Sequence, residues 1–280
     1  MKLLIAIFIL LSSLKSYGEQ DCSLGIEESE LRNYRYVIVP GILNEILSYY
    51  MTEHRSFLMR RGVPANQIHR FNLSSFMKPD ESAKILESKV LALPQDKELI
   101  FIAHSKGALE TLYFLNKTHQ KIRLKSAILI QGPLDGASIT KLPGEKGFLG
   151  FLNSFVKKVI SVSLVKAYEK SYSFTHIRKV LKDLPGYPNL LKKIIFVESS
   201  VEYSKLKGRF KPLGSQYKKY FGKAGDGVLM DTDHIPFSLK DSDLICKVTI
   251  EVDHSDLVKA APWNSLRVKK IRTFMQRVLY

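Results

Sequence analysis

The 280-residue chain holds only two cysteines, one tryptophan, and 27 acidic residues against 43 basic ones. Two cysteines near opposite ends, Cys22 and Cys246, exclude a disulfide-dense scaffold. They either pair, tying the start of the domain to a late strand, or remain two free thiols. No cluster of His, Cys and Asp has metal-ligand spacing, so no metal is expected. Internal repeats, low-complexity tracts and linkers are absent. After the first residues, no apolar run approaches the length needed to span a bilayer. With 45% hydrophobic and 25% charged residues, the chain is globular and long enough for one domain with a sizeable core.

The shortage of acids leaves a formal net charge of +16. A chain so basic favours anionic surfaces such as lipid headgroups, envelope polymers or nucleic acid, though charge alone names no partner. Part of it belongs to the first 18 residues. Lys2 begins them, residues 3–14 are almost wholly apolar, and Ser16-Tyr17-Gly18 has the small-x-small form of a cleavage site. This reads as a secretory signal peptide, which makes residues 19–280 an exported domain, secreted or periplasmic. No cysteine follows the small residues, so lipidation is not expected. Without Lys2 and Lys15 the mature chain has 41 basic and 27 acidic residues, a net +14.

What is present is an alternation of strands and helices. Buried strands are expected at 34–40 (YRYVIVP), 68–73, 99–103, 126–131 (SAILIQ), 193–199 (KIIFVES) and 247–252 (KVTIEV). Helices are expected at 45–61, closed by Gly62, at 82–93, 108–115 and 263–279. Such alternation predicts an α/β fold with a mainly parallel sheet covered by helices on both faces. In those sheets ligands bind beyond the carboxyl ends of the strands.

The stretch from Glu98 to Leu115 organises the chain. An apolar strand runs into His104-Ser105-Lys106-Gly107 and then into a helix. A serine on so tight a strand-to-helix turn has its hydroxyl exposed at the positive end of the helix. A serine hydroxyl is a weak nucleophile until a base takes its proton, and the base is usually a histidine fixed by a carboxylate. His254, in Asp253-His254-Ser255-Asp256, follows the last strand and precedes the last helix. Asp226, between Gly225 and Gly227, lies in the long loop after the 193–199 strand. Asp231, Asp233 and Glu202 compete with it for the carboxylate role. The developing oxyanion needs N–H donors. Lys106, at the helix start, is one candidate, and the loop after the first strand would supply the other.

These four loops together resemble a lipase/esterase-type α/β-hydrolase over nearly the whole mature length. Ala103-His-Ser105-Lys-Gly107 resembles the G-x-S-x-G nucleophile elbow. Pro40-Gly41-Ile42 resembles the H-G-hydrophobic oxyanion loop, which implies that the Ile42 N–H is an oxyanion donor beside that of Lys106. Gly225-Asp226-Gly227-Val228 resembles the acid loop, and the segment around His254 the histidine loop. Ala103 replaces a glycine and Pro40 a histidine, and neither change removes a catalytic group. Lys106 is less usual after the serine than Met or Gln. The resemblance implies ester hydrolysis through an acyl-enzyme on Ser105, His254 and Asp226, with no metal or organic cofactor. Peptidase, amidase or acyltransferase chemistry on the same triad, and a non-catalytic envelope-binding role, are the alternatives.

The resemblance also implies a small helical cap, placed at about residues 140–185. There Phe148, Phe151, Leu152, Phe155 and Val159 recur at helical spacing, either as a lid over an acyl pocket or as a core-packed face. Residues 204–223 carry seven basic and no acidic residues, interleaved with Phe210, Tyr217, Tyr220 and Phe221. A solvated loop is expected there, with contact to anionic lipid as the functional alternative. No nucleic-acid motif accompanies the stretch, so a nucleic-acid partner is not expected. The expected partners are an ester or lipid substrate and an anionic membrane surface, with the protein a monomer. Asn72 and Asn116 begin glycosylation sequons, which matter only in a eukaryotic source.

Overall fold

The structure is a computed structural model, and it describes residues 22–42, 44–45, 49–141, 170–208, 210–223, 225–258 and 264–280. Its strands are β1 (Arg35–Val39), β2 (Ile68–Arg70), β3 (Leu99–His104), β4 (Leu124–Ile130), β5 (Ile194–Ser199) and β6 (Cys246–Ile250). They form one sheet in the order β2-β1-β3-β4-β5-β6, and every neighbouring pair is parallel. Parallel neighbours need crossovers, and helices supply them. These are α1 (Thr52–Arg60), α2 (Pro79–Leu91), α3 (Lys106–Thr118), α4 (Phe174–Val180), α5 (Pro188–Leu191), α6 (Lys211–Phe221) and α7 (Ser265–Leu279).

The period-two alternation of the strands divides the core into two halves. Val37, Val39, Phe101, Ala103, Ala127, Leu129 and Phe196 face α2, α3, α4 and α6. Tyr36, Ile38, Ile100, Ile102, Ile128, Ile130, Val197 and Val248 face α1 and α7. Both faces are apolar, which is why these strands read as continuous hydrophobic runs. The central helix α3 has all but one of its residues buried, as befits a helix against the middle of the sheet.

Cys22 and Cys246 are bonded, with their Cα atoms 5.4 Å apart. The bond ties the first described residue to β6. Just beyond it, the Leu24 and Ile26 N–H groups donate to the Val278 and Leu279 carbonyls at the end of α7.

Two expectations are corrected. The helix expected at 45–61 begins only at Thr52. Tyr49 and Met51 have φ of +60° and +54°, which a helix cannot contain, and the Met51 N–H is drawn to the Val258 carbonyl beyond the histidine loop. The 204–223 stretch is not a loop throughout, since residues 211–221 form α6. That helix buries Leu213, Gly214 and Tyr217 and ends at Gly222, whose φ is +75°. Three of its flanking cations are paired: Lys205 with Glu251, Lys207 with Asp253 and Asp256, and Lys223 with Asp231.

The leader and the five cap residues from Phe148 to Val159 lie outside the described residues. The later part of the expected cap is core: Tyr172, Ile177, Leu181 and Leu184 are buried in the same half as α3. No helix among the described residues is long and apolar enough to cross a membrane.

Candidate active site

Ser105 sits between β3 and α3 with φ +55° and ψ −126°. A non-glycine residue in that region costs on the order of 1–3 kcal/mol, so the surroundings must impose it. The Ser105 N–H donates to the Ile130 carbonyl at 2.9 Å, and its own carbonyl accepts the first turn of α3 from Ala108. Gly107 lets the helix close on β1. A Cβ there would stand 2.4 Å from the Val39 oxygen and 2.6 Å from the Pro40 oxygen. Gly41 lies directly on the serine, and a Cβ on it would come within 2.7 Å of the Ser105 Cβ.

The Ser105 Oγ is 3.0 Å from His254 Nε2, and His254 Nδ1 is 2.7 Å from Asp226 Oδ2. Three groups from three loops are therefore in line. Each loop is built for its place. Gly225 and Gly227 have φ of +60° and +91°, and a Cβ at Gly225 would be 2.1 Å from the Leu229 oxygen. Only glycine folds the acid loop back so tightly. The turn aims the Val228 and Leu229 N–H groups at Asp226 Oδ1, at 2.9 and 2.8 Å. Gln131 Nε2 and Ser199 Oγ approach Oδ2 at 3.3 Å each. Burial alone would raise the pKa of this carboxylate. The charge and hydrogen bond of His254, the nearby His234 and the backbone donors outweigh it and hold the carboxyl below its usual range.

The histidine loop is fixed by its two acids. Asp253 accepts from the Ser255 N–H and hydroxyl at 2.9 Å and pairs with Lys207. Asp256 pairs with Lys207 and with Lys270 of α7. The His254 N–H donates to the Asp226 carbonyl, so acid and base are also joined through backbone.

The competing carboxylates are elsewhere. Asp231 pairs with Lys223 near the surface. Asp233 accepts from Ser138 and Met230, and burial pushes its carboxyl up to about 7. Glu202 is exposed beside Lys205. Ile42 follows Gly41 at the serine, and Lys106 is the first residue of α3, where the N–H has no intrahelical acceptor. The Lys106 side chain turns away into the core, where its ammonium pairs with Glu110 and donates to the Ser74 carbonyl and Ser82 hydroxyl. Among the described residues no group of His, Cys, Asp and Glu could hold a metal ion.

Four buried polar residues around the site escaped sequence reasoning. Tyr50 and His104 hydrogen-bond each other at 2.7 Å, and the His104 ring lies 4.7 Å from that of His254. Gln131, with φ +49°, donates to Ser199 at 2.5 Å as well as to Asp226. A polar residue ending the apolar run SAILIQ was the one signal for it. Tyr50 and Ser199 carry none.

No protein-family model and no curated protein matches this sequence. Solved structures do. A metagenomic carboxyl esterase, MGS0156, superposes with a TM-score of 0.60 at 16% identity, covering 88% of this chain and 77% of its own. The mature lipase BlEst2 of Bacillus licheniformis gives 0.59 at 14% identity, over 89% and 93%. The chain has the α/β-hydrolase fold. Phospholipase PlaB of Legionella pneumophila shares this α/β-hydrolase architecture at a TM-score of 0.52 and 13% identity, over 72% of this chain and 45% of PlaB. Within this fold, Ser105 directly follows the third strand, Asp226 follows the fifth and His254 follows the sixth.

Proposed function

We propose that the protein is a serine hydrolase of carboxylic esters. The observation that carries this reading is the unbroken Ser105–His254–Asp226 contact on a strained elbow, with Gly41 against the serine. His254 takes the Ser105 proton as Oγ attacks the ester carbonyl, and Asp226 holds Nδ1–H and stabilises the imidazolium. The Ile42 and Lys106 N–H groups receive the oxyanion. His254 then returns the proton to the leaving alkoxide, and water repeats the sequence on the acyl-enzyme. Lipid esters are the substrate class we favour, because the chain is strongly basic and the similar structures include a lipase and a phospholipase by name. Weaker pelleting with anionic vesicles at high salt is the corresponding expectation.

We also place the protein outside the cytoplasm, secreted or periplasmic. The Cys22–Cys246 bond supports this, since cytosolic thiols stay reduced. The test of the chemistry is labelling by a fluorophosphonate beside turnover of p-nitrophenyl esters. Wild type is expected to do both, and Ser105→Ala neither, with thermal unfolding nearly unchanged. Undiminished labelling of Ser105→Ala would overturn the assignment.

A further inference from the structure

The oxyanion loop is held on two sides by side chains that touch no reacting atom. The Gly41 N–H donates to Tyr50 Oη at 3.2 Å, and the Gly41 carbonyl accepts from Asn44 Nδ2 at 3.0 Å. These two bonds fix the two peptide planes that flank Gly41. The second plane matters most, because it contains the Ile42 N–H. In a trans peptide, C=O and N–H point opposite ways. Anchoring the Gly41 oxygen on Asn44 therefore sets the direction of the Ile42 N–H. Asn44 is buried and is itself moored to the Leu73 carbonyl at 2.9 Å.

The Tyr50 bond has a defined polarity. His104 Nε2 lies 3.0 Å from the His254 carbonyl and 3.2 Å from Gln131 Oε1, and both are acceptors. Nε2 therefore carries the proton, and the Nδ1 lone pair receives the Tyr50 hydroxyl proton at 2.7 Å. The Tyr50 oxygen is left as an acceptor facing the Gly41 N–H. Donors thus run in one direction, from Gly41 through Tyr50 and His104 to the backbone of His254. Burial holds the His104 imidazole well below its ordinary pKa, which favours the neutral form that this polarity needs.

We propose that Tyr50 and Asn44 are positioning residues that preset the oxyanion loop, with His104 registering that loop against the His254 loop. The inference rests on the ester-hydrolase reading above. It means that the donor geometry is built before substrate arrives, so the donors need no reorganisation in the transition state.

The experiment compares wild type with Tyr50→Phe and Asn44→Ala, each with kcat expressed per fluorophosphonate-titrated site. It adds inhibition by an aryl trifluoromethyl ketone. Ser105 Oγ adds to that carbonyl, His254 takes the proton, and the carbonyl oxygen becomes the anion facing the loop. Each variant is expected to lose at least about tenfold in kcat per site with KM within about threefold, since removing an oxyanion donor outright costs about 10²–10³. Ketone affinity should fall by the same factor as kcat/KM. A kcat per site within twofold of wild type overturns the inference, even where melting temperature drops, because that is a structural role only. Lost turnover with unchanged ketone affinity also overturns it. Asn44→Ala is read alone if Tyr50→Phe does not fold. A wild-type protein that neither labels nor turns over esters would instead sink the underlying reading.

Discussion

Replacing Asp226 by Asn tests the site through its hydrogen-bond polarity. The two carboxylate oxygens have different partners. Oδ1 accepts two backbone N–H groups, from Val228 and Leu229, whereas Oδ2 faces His254 Nδ1 at 2.7 Å. An amide can keep the first set only by placing its oxygen at the Oδ1 position. Its NH2 group then points at His254 Nδ1, which must become the acceptor. The imidazole proton moves to Nε2, and Nε2–H now faces Ser105, where a base is required. The same NH2 also faces His234 Nε2, which stands 3.6 Å from Oδ2 without a hydrogen-bond partner. The fold should therefore survive the change better than the chemistry does. Loss of the correct tautomer and of the negative charge together costs about 10⁴ in kcat, or ~5 kcal/mol of transition-state stabilisation. The assay is steady-state hydrolysis of a p-nitrophenyl ester by Asp226→Asn and Asp231→Asn, with unfolding temperature as control. Asp231 belongs to a partly exposed ion pair with Lys223, so its variant should stay within about threefold of wild type. An Asp226→Asn enzyme that keeps a tenth or more of wild-type kcat would refute the role given to this carboxylate.

The Cys22–Cys246 bond joins residues 224 positions apart, and a closed loop of that size predicts about 5 kcal/mol from chain entropy. Reductant should lower the melting temperature clearly, and a titration finding two free thiols in the native protein would dismiss the bond. Lys106→Met alone leaves the Glu110 carboxylate buried without its cation and should cost about 3–5 kcal/mol. The double variant Lys106→Met/Glu110→Leu should recover most of this in denaturant melts, and a double variant as unstable as the single one would contradict the account. The Asp233 carboxyl is raised by burial to about 7, so the native state holds a proton that the unfolded chain releases near pH 4. Stability contributed by that proton is complete below about pH 4 and is lost as pH rises through about 7. Asp233→Asn, which mimics the neutral acid, should gain on wild type across that window, and a stability difference flat in pH would show that Asp233 ionises normally.

Strands and site loops were legible in the sequence for the same physical reason. A parallel sheet covered on both faces writes apolar runs such as LIFIA and SAILI, and the turns at its carboxyl edge must be made by small residues. Gly107, Gly225 and Gly227 stand where a Cβ would meet backbone or a packed side chain within 3 Å, so their places in the sequence marked the elbow and the acid loop before any coordinates did. The helix misread at 45–61 shows the limit. Its apolar residues carry a helical period, yet Tyr49 and Met51 take positive φ because the chain there is tied to Val258 and, through Tyr50, to His104. Tertiary hydrogen bonds overrode local propensity, and no local pattern announces a bond 54 residues away.

The same reasoning applies to three cations of the basic stretch. Lys205, Lys207 and Lys223 looked like an unopposed run of charge because their partners, Glu251, Asp253 with Asp256, and Asp231, lie from 8 to 49 positions away. Charge in a sequence is counted by neighbourhood, whereas charge in a fold is paired across loops. Lys207 is the instructive case. Burial lowers its pKa, but Asp253 and Asp256 bracket His254, so this one ammonium spans the two acids that hold the histidine loop in place. In three dimensions Lys207 is part of what keeps the base aimed at Ser105.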